Sequence, residues 1–354
     1  MKITDIETPA LILDESSLTR NMAAMKALTD EVGISLRPHY KSHRSAYLAQ
    51  LQMSLGAKGI TCAKVGEAED LAKAGIQDIL IANQITSPSK IARAVQVALK
   101  TNLTVCVDTK QNVLDLEEAA SLKNTKLSVY IEFEIGMNRC GVETFEEVYA
   151  LAELIQRQPH LCFKGIQAYA GQLSHEVDDE KRLTHSVNIE HRLTQLKEHL
   201  TSKGIPVQEI SGMSTGTLPL RKKMKTVYTE AQAGSYLFMD ACYGKMTLPF
   251  EHALFVLATV VSVRGSAFHT DAGLKSCSVD QGNPVLKDHP EVQARLSEEH
   301  ISHQLPGHTY RVNDKVLYIP GHCCTNINLF DNIYLVSDEE VLRVIPVTGR
   351  GKSQ

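Results

Sequence analysis

The sequence has no long apolar segment and no concentration of charge. In its 354 residues, no stretch approaches the roughly 18 unbroken apolar residues that a membrane-spanning helix needs. The formal net charge is −4 at pH 7, and the lysines and arginines are scattered rather than clustered. A membrane protein and a nucleic-acid-binding protein are therefore not expected, and a small molecule is the expected partner.

A secretory signal and C-x-x-C cysteine pairs are also missing. Residues 1–5 carry one lysine with no apolar run behind it. Several of the eight cysteines lie inside apolar runs such as residues 104–107, where reduced, buried thiols are typical. These features predict a cytoplasmic protein with reduced cysteines. The adjacent pair Cys323 and Cys324 differs from the others because His322 precedes it.

Short apolar runs alternate with amphipathic stretches between residues 35 and 245. The runs are predicted strands, and the stretches between them, such as residues 67–74 before Gly75, have helical spacing. Eight strands with seven intervening helices predict a (β/α)₈ barrel, with a doubly wound open sheet as the alternative. The predicted barrel strands are residues 35–41, 59–63, 78–83, 104–108, 127–133, 163–169, 209–212 and 235–239.

The pattern changes after residue 245. Apolar segments there are separated by Gly, Pro, Asn and Asp, with little helical spacing, which is typical of an antiparallel sheet. The predicted strands are residues 253–264, 315–320, 326–330, 333–336 and 341–346. We therefore predict a barrel domain of residues 15–245 and a mainly antiparallel β domain of residues 246–354, which residues 1–14 join as a further strand.

Lys41 ends the first predicted barrel strand. Catalytic groups of such barrels gather at the C-terminal ends of the strands, and a lysine with ionisable neighbours there can act as an amine nucleophile toward an aldehyde. A surface lysine in a loop is the alternative.

Residues 211–217 follow the seventh predicted strand. Their small and hydroxyl side chains fit a phosphate site, with an ordinary turn as the alternative.

Four further residues are candidates for binding a cofactor or a metal. Arg139 lies between glycines at a strand end, where it can reach a pyridine ring or form a structural ion pair. Tyr169 closes the sixth strand, where it can stack on a flat cofactor or cap the barrel core. His322 and Cys324 offer imidazole and thiolate ligands, which suit zinc and leave open positions for water and substrate.

In this order, the segments resemble the family of D-threonine aldolase, 3-hydroxy-D-aspartate aldolase and dehydratase, and D-serine dehydratase. The similarity extends over nearly the whole chain. Its motifs are residues 8–10, 37–43, 61–69, 136–141, 214–217, 233–236, 271–275 and 320–328. The resemblance implies an alanine-racemase-like barrel (fold type III) with a C-terminal β domain, as a homodimer.

The resemblance also assigns the site residues. It places Lys41 where pyridoxal 5′-phosphate is bound covalently, Arg139 where an arginine contacts the cofactor, and Tyr169 where a residue faces the ring. It implies a divalent metal (Zn²⁺, Mn²⁺ or Mg²⁺) on His322 and Cys324. The residues implied for the cofactor phosphate are Ser214, Thr215, Gly216, Thr217, Gly234, Ser235 and Tyr236.

Two departures leave the exact reaction open. Met213 and Ser214 stand where the family commonly has glycines. Cys324 matches the dehydratases, whereas the aldolases typically have Asp there.

We expect a lyase acting on D-3-hydroxy amino acids, with dehydration to a 2-oxo acid and ammonia favoured by Cys324. Aldol cleavage to glycine and an aldehyde, with His43 or a metal-bound water as base, is the alternative. A racemase and a non-catalytic cofactor-binding protein are remoter alternatives.

Overall fold

The computed structural model describes residues 1–222 and 224–354. The chain forms two compact units. The barrel unit comprises residues 26–41, 48–234 and 352–354, and the β unit comprises residues 1–25, 42–47 and 235–351.

The described residues form seventeen strands and eight α-helices. The strands are β1 (Ala10–Asp14), β2 (Ser35–Leu36), β3 (Ile60–Cys62), β4 (Asp78–Gln84), β5 (Asn102–Val107), β6 (Leu127–Glu132), β7 (Leu161–Ala168), β8 (Glu209–Gly212), β9 (Glu230–Ala231), β10 (Leu254–Arg264), β11 (Ala267–Thr270), β12 (Val285–Leu286), β13 (Arg295–Leu296), β14 (Ile301–Gln304), β15 (Lys315–Ile319), β16 (Asn332–Ser337) and β17 (Glu340–Pro346). The helices are α1 (Glu15–Val32), α2 (Ala46–Ser54), α3 (Val65–Lys73), α4 (Pro88–Ala98), α5 (Lys110–Leu122), α6 (Phe145–Gln156), α7 (Asp179–Ser202) and α8 (Cys323–Asn326).

The barrel unit contains an eight-stranded parallel sheet in the order β2-β9-β8-β7-β6-β5-β4-β3. A parallel bridge between His39 and Thr61 joins the two ends of this sheet, because His39 follows β2 and Thr61 lies in β3. The backbone N–H of Thr61 donates to the carbonyl of Pro38 at the same junction, over 2.9 Å. The sheet is therefore closed, which confirms the predicted (β/α)₈ barrel and excludes the open doubly wound sheet.

Two details of the predicted barrel are wrong. The eighth strand is β9, and the predicted strand 235–239 is instead a 3₁₀ turn at Ser235–Leu237. Met239 has φ +52°, which a strand does not allow, and a short buried apolar run does not by itself distinguish a strand from other buried segments. The first strand also ends early, at Leu36, so that Lys41 lies in a second 3₁₀ turn, Tyr40–Ser42.

The helices of the barrel unit bury one face each. In α4 the buried residues Ile91, Ala94, Val95 and Ala98 recur at intervals of three and four, which places them on one side of the helix. At the start of α6, Thr144 Oγ1 accepts the N–H of Glu147, satisfying one of the donors that a helix end leaves unpaired. None of the helices in residues 1–222 and 224–354 is long and apolar enough to cross a membrane.

The β unit contains a nine-stranded, mainly antiparallel sheet. Its main path is β13-β14-β11-β10-β1-β16-β17, and β15 pairs with β10 and β12. β1 runs antiparallel to β10 and parallel to β16. Ile12, Phe255, Leu257 and Val336 belong to the apolar core on this sheet. This agrees with the predicted fold class of a barrel with a mainly antiparallel β domain.

Some elements of the β unit differ from the prediction. Residues 326–330 were expected as a strand, but Asn326 ends the single turn of α8 and Ile327–Leu329 form a 3₁₀ segment. The short strands β11 to β14 were not predicted at all. Two to four residues with mixed polarity show no alternation long enough to recognise, and pairing with a neighbouring strand is what defines them.

Candidate functional site

A cavity of about 150 Å³, lined mostly by polar residues, lies in the barrel unit. Its wall is built from residues at or just beyond the ends of several barrel strands. The lining residues are His39, Lys41, Ala63, Ala82, Asn83, Gln84, Glu132, Arg139, Cys140, Gln167, Tyr169 and Gln232. Three residues predicted from sequence, Lys41, Arg139 and Tyr169, therefore lie in one cavity.

The turn that carries Lys41 is held on both sides. The hydroxyl of Tyr40, whose side chain is fully buried, donates to the carboxylate of Asp70. The backbone N–H of Lys41 donates to Nδ1 of His39 over 3.3 Å. Nζ of Lys41 lies 5.4 Å from the centroid of the Tyr169 ring, within the range of a cation–π interaction. The amine and the aromatic face therefore approach each other inside the cavity.

Arg139 is paired with a buried carboxylate. One of its guanidinium nitrogens lies 3.6 Å from Oε1 of Glu132, and Oε2 of Glu132 accepts a hydrogen bond from Gln84 over 2.6 Å. Burial raises the pKa of Glu132, while the hydrogen bond from Gln84 and the charge of Arg139 oppose that rise. The side chain of Arg139 is half exposed, so Glu132 is the fixed member of the pair.

The loop that carries Arg139 is closed at its base. The N–H of Val142 donates to the carbonyl of Glu132, and the N–H of Glu134 donates to the carbonyl of Val142, both over 2.9 Å. The carboxylate of Glu134 accepts the backbone N–H groups of Gly136 and Asn138. These hydrogen bonds hold both ends of the loop against the end of β6, so Arg139 lies on a short, constrained loop.

The residues predicted for the phosphate divide between the two units. Ser214 to Thr217 form one buried turn of the barrel unit, in which Thr217 Oγ1 accepts the N–H of Ser214 over 2.9 Å. Thr215, Gly216 and Gly234 are buried in the same unit. Met213 has φ +57°, the left-handed region that glycine occupies at little cost, which gives a physical reason for the glycine expected there.

Ser235 and Tyr236, also predicted for the phosphate, belong to the β unit. Oγ of Ser235 lies 3.5 Å from Sγ of Cys324, and Ser42 Oγ lies 3.3 Å from the same sulfur. The Tyr236 ring is buried, with its centroid 5.8 Å from that of Phe250. Within the β unit, the thiol predicted as a metal ligand is therefore bracketed by two hydroxyl groups.

His322 and Cys324 flank the start of α8, with His322 as its N-terminal cap residue. Nδ1 of His322 lies 2.6 Å from Oδ2 of Asp280. Burial works to lower the pKa of His322, but hydrogen bonds and charges from Cys324 and Asp280 raise it to about 9. The three side chains therefore form one hydrogen-bonded cluster of imidazole, thiol and carboxylate.

This cluster fits a divalent metal held by two protein ligands. Imidazole nitrogen and thiolate sulfur are common zinc ligands, and the carboxylate on the far ring nitrogen is the usual outer partner of a metal-bound histidine. Metal binding would require a neutral imidazole and a thiolate, so it would release protons from His322 and Cys324. Among residues 1–222 and 224–354 there is no group of three or more His, Cys, Asp or Glu side chains that could hold an ion. A metal held by two protein ligands would keep open positions for water or substrate.

His43, a candidate base, is fully buried in the β unit. Its Nδ1 accepts the backbone N–H of Ser45 over 3.2 Å. An Nδ1 that accepts this bond carries no proton, so the neutral ring carries its proton on Nε2.

Sequence reasoning did not identify Glu132, Gln84 or the glutamines Gln167 and Gln232 as members of the cavity. Gln232 donates to Gln167 Oε1 over 2.6 Å, and both amides are buried. One signal was present, because a glutamate and glutamines at the ends of apolar strands are unusual for a barrel core. Sequence reasoning also assigned no role in the site to Asp280, because its partner His322 lies 42 residues away in the chain.

Comparisons with known proteins identify the family. The model of the alanine racemase N-terminal domain matches residues 13–242, and that of a serine dehydratase domain matches residues 253–336. Together they cover most of the chain.

Three relatives match over most of their length. The 3-hydroxy-D-aspartate aldolase of Paracoccus denitrificans (strain Pd 1222) is 37% identical over 369 residues, covering 99% of this chain and 94% of the relative. The D-threonine aldolase of Arthrobacter sp is 35% identical over 357 residues, with coverages of 99% and 94%. The D-threo-3-hydroxyaspartate dehydratase of Delftia sp. (strain HT23) is 31% identical over 292 residues, with coverages of 80% and 75%.

A solved structure agrees with these matches. The D-threonine aldolase from Filomicrobium marinum superimposes with a TM-score of 0.96 at 34% identity, covering 100% of this chain and 98% of that one. The chain therefore belongs to the alanine-racemase-like family of lyases that includes 3-hydroxy-D-aspartate aldolase, D-threonine aldolase and D-threo-3-hydroxyaspartate dehydratase, as its motifs predicted.

Proposed function

We propose that this protein is a pyridoxal-phosphate-dependent lyase that cleaves D-3-hydroxy amino acids, with Lys41 as the residue that binds the cofactor. The observation that carries this proposal is the position of the Lys41 amine in a polar cavity, 5.4 Å from the centroid of the Tyr169 ring. A lysine in a cavity at the mouth of a barrel can form a bond to an aldehyde. A flat aromatic wall beside it suits a pyridine ring.

The residues of the barrel unit fit this cofactor. Tyr169 offers an aromatic face, and Arg139, held by Glu132, offers a cation for the ring nitrogen or phenolate oxygen. The buried turn from Ser214 to Thr217 offers backbone N–H groups and hydroxyls for the phosphate. We propose that Gly234, Ser235 and Tyr236 contribute to phosphate binding as well.

When bound, pyridoxal phosphate supplies an electron sink for the bond that breaks at Cα. The chain's own groups then decide which bond breaks. The Lys41 amine is the group proposed to hold or move a proton at Cα, and His322 and Cys324 are proposed to hold a divalent metal. That metal supplies a Lewis acid for the β-hydroxyl. Gln167, Gln232 and Glu132, which line the cavity that contains Lys41, are buried, and this limits the water in the cavity.

Aldol cleavage to glycine and an aldehyde is the reaction we favour. The two aldolase relatives are 35–37% identical over 99% of the chain, compared with 31% over 80% for the dehydratase relative. Dehydration is the second candidate, and the observation in its favour is Cys324, since a cysteine at this position is like the dehydratases. A thiolate in place of a carboxylate does not by itself dictate which bond breaks.

Product identification tests the reaction. The purified protein, with pyridoxal phosphate and Mn²⁺ or Zn²⁺, is incubated with D-threonine, D-serine and D-threo-3-hydroxyaspartate, with and without chelator. Glycine plus an aldehyde as the main metal-dependent product supports aldol cleavage, whereas a 2-oxo acid plus ammonia supports dehydration.

The cofactor residue is tested separately by borohydride reduction and peptide mapping. We expect the label on the peptide that contains Lys41, and no label in Lys41→Ala. The matched control is Lys275→Ala, which removes an exposed lysine that pairs with Glu298 and Glu299. A stable yellow, fully labelled Lys41→Ala protein would contradict the proposal.

A further inference from the structure

We propose that Asp280 is a positioning residue that orients His322 for metal binding by accepting the proton on Nδ1. The inference rests on the metal site of the proposed function and deepens it. It assigns a role to a side chain that neither the motifs nor the family resemblance had singled out.

The geometry determines which ring nitrogen faces the metal. Nδ1 of His322 lies 2.6 Å from Oδ2 of Asp280, and an ionised carboxylate can only accept a hydrogen bond. Nδ1 therefore carries the proton, and the lone pair of the neutral ring lies on Nε2. A carboxylate in this position both selects the tautomer and makes the other nitrogen a stronger ligand.

Asp280 is itself held in place on its other oxygen. Oγ1 of Thr325 donates to Oδ1 of Asp280 over 2.6 Å, and Thr325 lies one helical turn beyond His322 in α8. The carboxylate therefore bridges two side chains of one short segment. A mobile surface ion pair would not have both oxygens engaged in this way.

The backbone around Asp280 is also tied to the segment that carries His322. Oγ of Ser278 donates to the carbonyl of His322 over 3.1 Å, and the N–H of Ser278 donates to Oδ1 of Asn326 over 2.9 Å. A Cβ on Gly321 would lie 1.9 Å from the carbonyl oxygen of Gly282. The two segments thus approach so closely that only glycine fits at position 321.

Exposure distinguishes a positioning role from a stabilising one. The Asp280 side chain is 43% exposed, and ion pairs at such positions contribute little to the stability of the fold. By contrast, loss of the outer partner of a metal-bound histidine typically weakens metal binding by about 10–100-fold. Removal of Asp280 is therefore expected to change metal affinity much more than stability.

The test measures zinc affinity directly, by competition with a chromophoric chelator on the purified full-length protein. We expect Asp280→Ala to bind zinc about 10–100-fold more weakly than the wild type. Asp280→Asn, which keeps a hydrogen-bond acceptor, should show a smaller loss. The melting temperature measured without metal and the absorbance of bound pyridoxal phosphate should stay close to those of the wild type.

Two further variants make the outcome decisive. Asp288→Ala removes an exposed carboxylate from the same unit and should leave zinc affinity unchanged. His322→Ala removes a proposed ligand and should lose zinc binding. If His322→Ala loses zinc but Asp280→Ala binds it as the wild type does, the role of Asp280 is refuted and the metal site stands. If the wild type itself binds no zinc, the proposed metal and the role of Asp280 both fail, while the borohydride test still decides the role of Lys41.

Discussion

Nε of Arg37 donates a hydrogen bond to Oε1 of Glu230 over 2.9 Å inside the barrel unit, where both side chains are almost completely buried. Arg37 also pairs with Asp78, and Oε2 of Glu230 accepts from Nζ of Lys58 over 3.0 Å. Burial opposes the charge on Arg37, but the two carboxylates raise its pKa above the ordinary value. The guanidinium therefore stays charged and depends on its partners.

We expect Glu230→Gln to lower the free energy of unfolding by about 3–5 kcal/mol, because it removes the negative charge of the fully buried partner of Arg37. Urea denaturation of the cofactor-free protein measures this loss. The matched control is Glu251→Gln, whose partner Arg20 is more than half exposed, and which should cost less than about 1 kcal/mol. Equal losses in the two variants would contradict the prediction.

The end of β8, just before the phosphate turn, has no room for a side chain. A Cβ on Gly212 would lie 2.0 Å from the carbonyl oxygen of Ala168 and 2.5 Å from the ring of Tyr228. Gly212→Ala should therefore destabilise the protein by about 3 kcal/mol. Gly204→Ala is the control, because Gly204 has φ +79° but nothing within 4 Å of its Cβ, so only about 1 kcal/mol of backbone strain is expected. Urea midpoints of the two variants give the comparison, and a Gly212→Ala protein as stable as Gly204→Ala would refute the steric argument.

Cys324 is predicted to be a metal ligand. Cys324→Ala should reduce zinc affinity by at least about 100-fold, since a direct ligand contributes more than an outer partner. Cys324→Asp should retain most of the affinity because a carboxylate is also a zinc ligand. Cys242→Ser, another partly buried cysteine of the β unit, serves as control. Chelator competition checks all three, and wild-type affinity in Cys324→Ala would rule out the sulfur as a ligand.

The raised pKa of Glu132 predicts a pH dependence of stability. Burial favours the neutral acid, so the folded protein binds this proton more tightly than the unfolded chain does. The contribution of Glu132 to stability is therefore present below the unfolded value, about 4.3, and is lost as pH rises through the folded pKa. Glu132→Gln removes the titrating carboxyl group and with it this pH-dependent contribution. The stability of the variant relative to the wild type should therefore increase with pH above about 4. Urea denaturation of the cofactor-free proteins across that range measures it, and a difference independent of pH would show that Glu132 does not titrate as described.

The local pattern of apolar residues was sufficient to predict most strands and helices of the barrel. A run such as β5, buried at five successive positions, and a helix such as α4, with one apolar face, carry their own signals in about ten residues. The apolar run at 235–239 was misread because burial on all sides looks the same in a strand and in a 3₁₀ turn. The positive φ of Met239 excludes a strand at 235–239, and the pairing of Glu230 with β8 identifies β9 as the eighth strand.

The amino-acid sequence by itself determined the alternation of strands and helices, the family, and the candidates Lys41, Arg139, His322 and Cys324, because each of these depends on residues close together in the chain. Only the tertiary structure decided which groups support them. Glu132 beside Arg139 is recognisable only once β6 and its loop have closed, and Asp280 beside His322 only once two segments 42 residues apart have packed together. Contacts of this kind are set by the packing of the whole unit, and no local pattern records them.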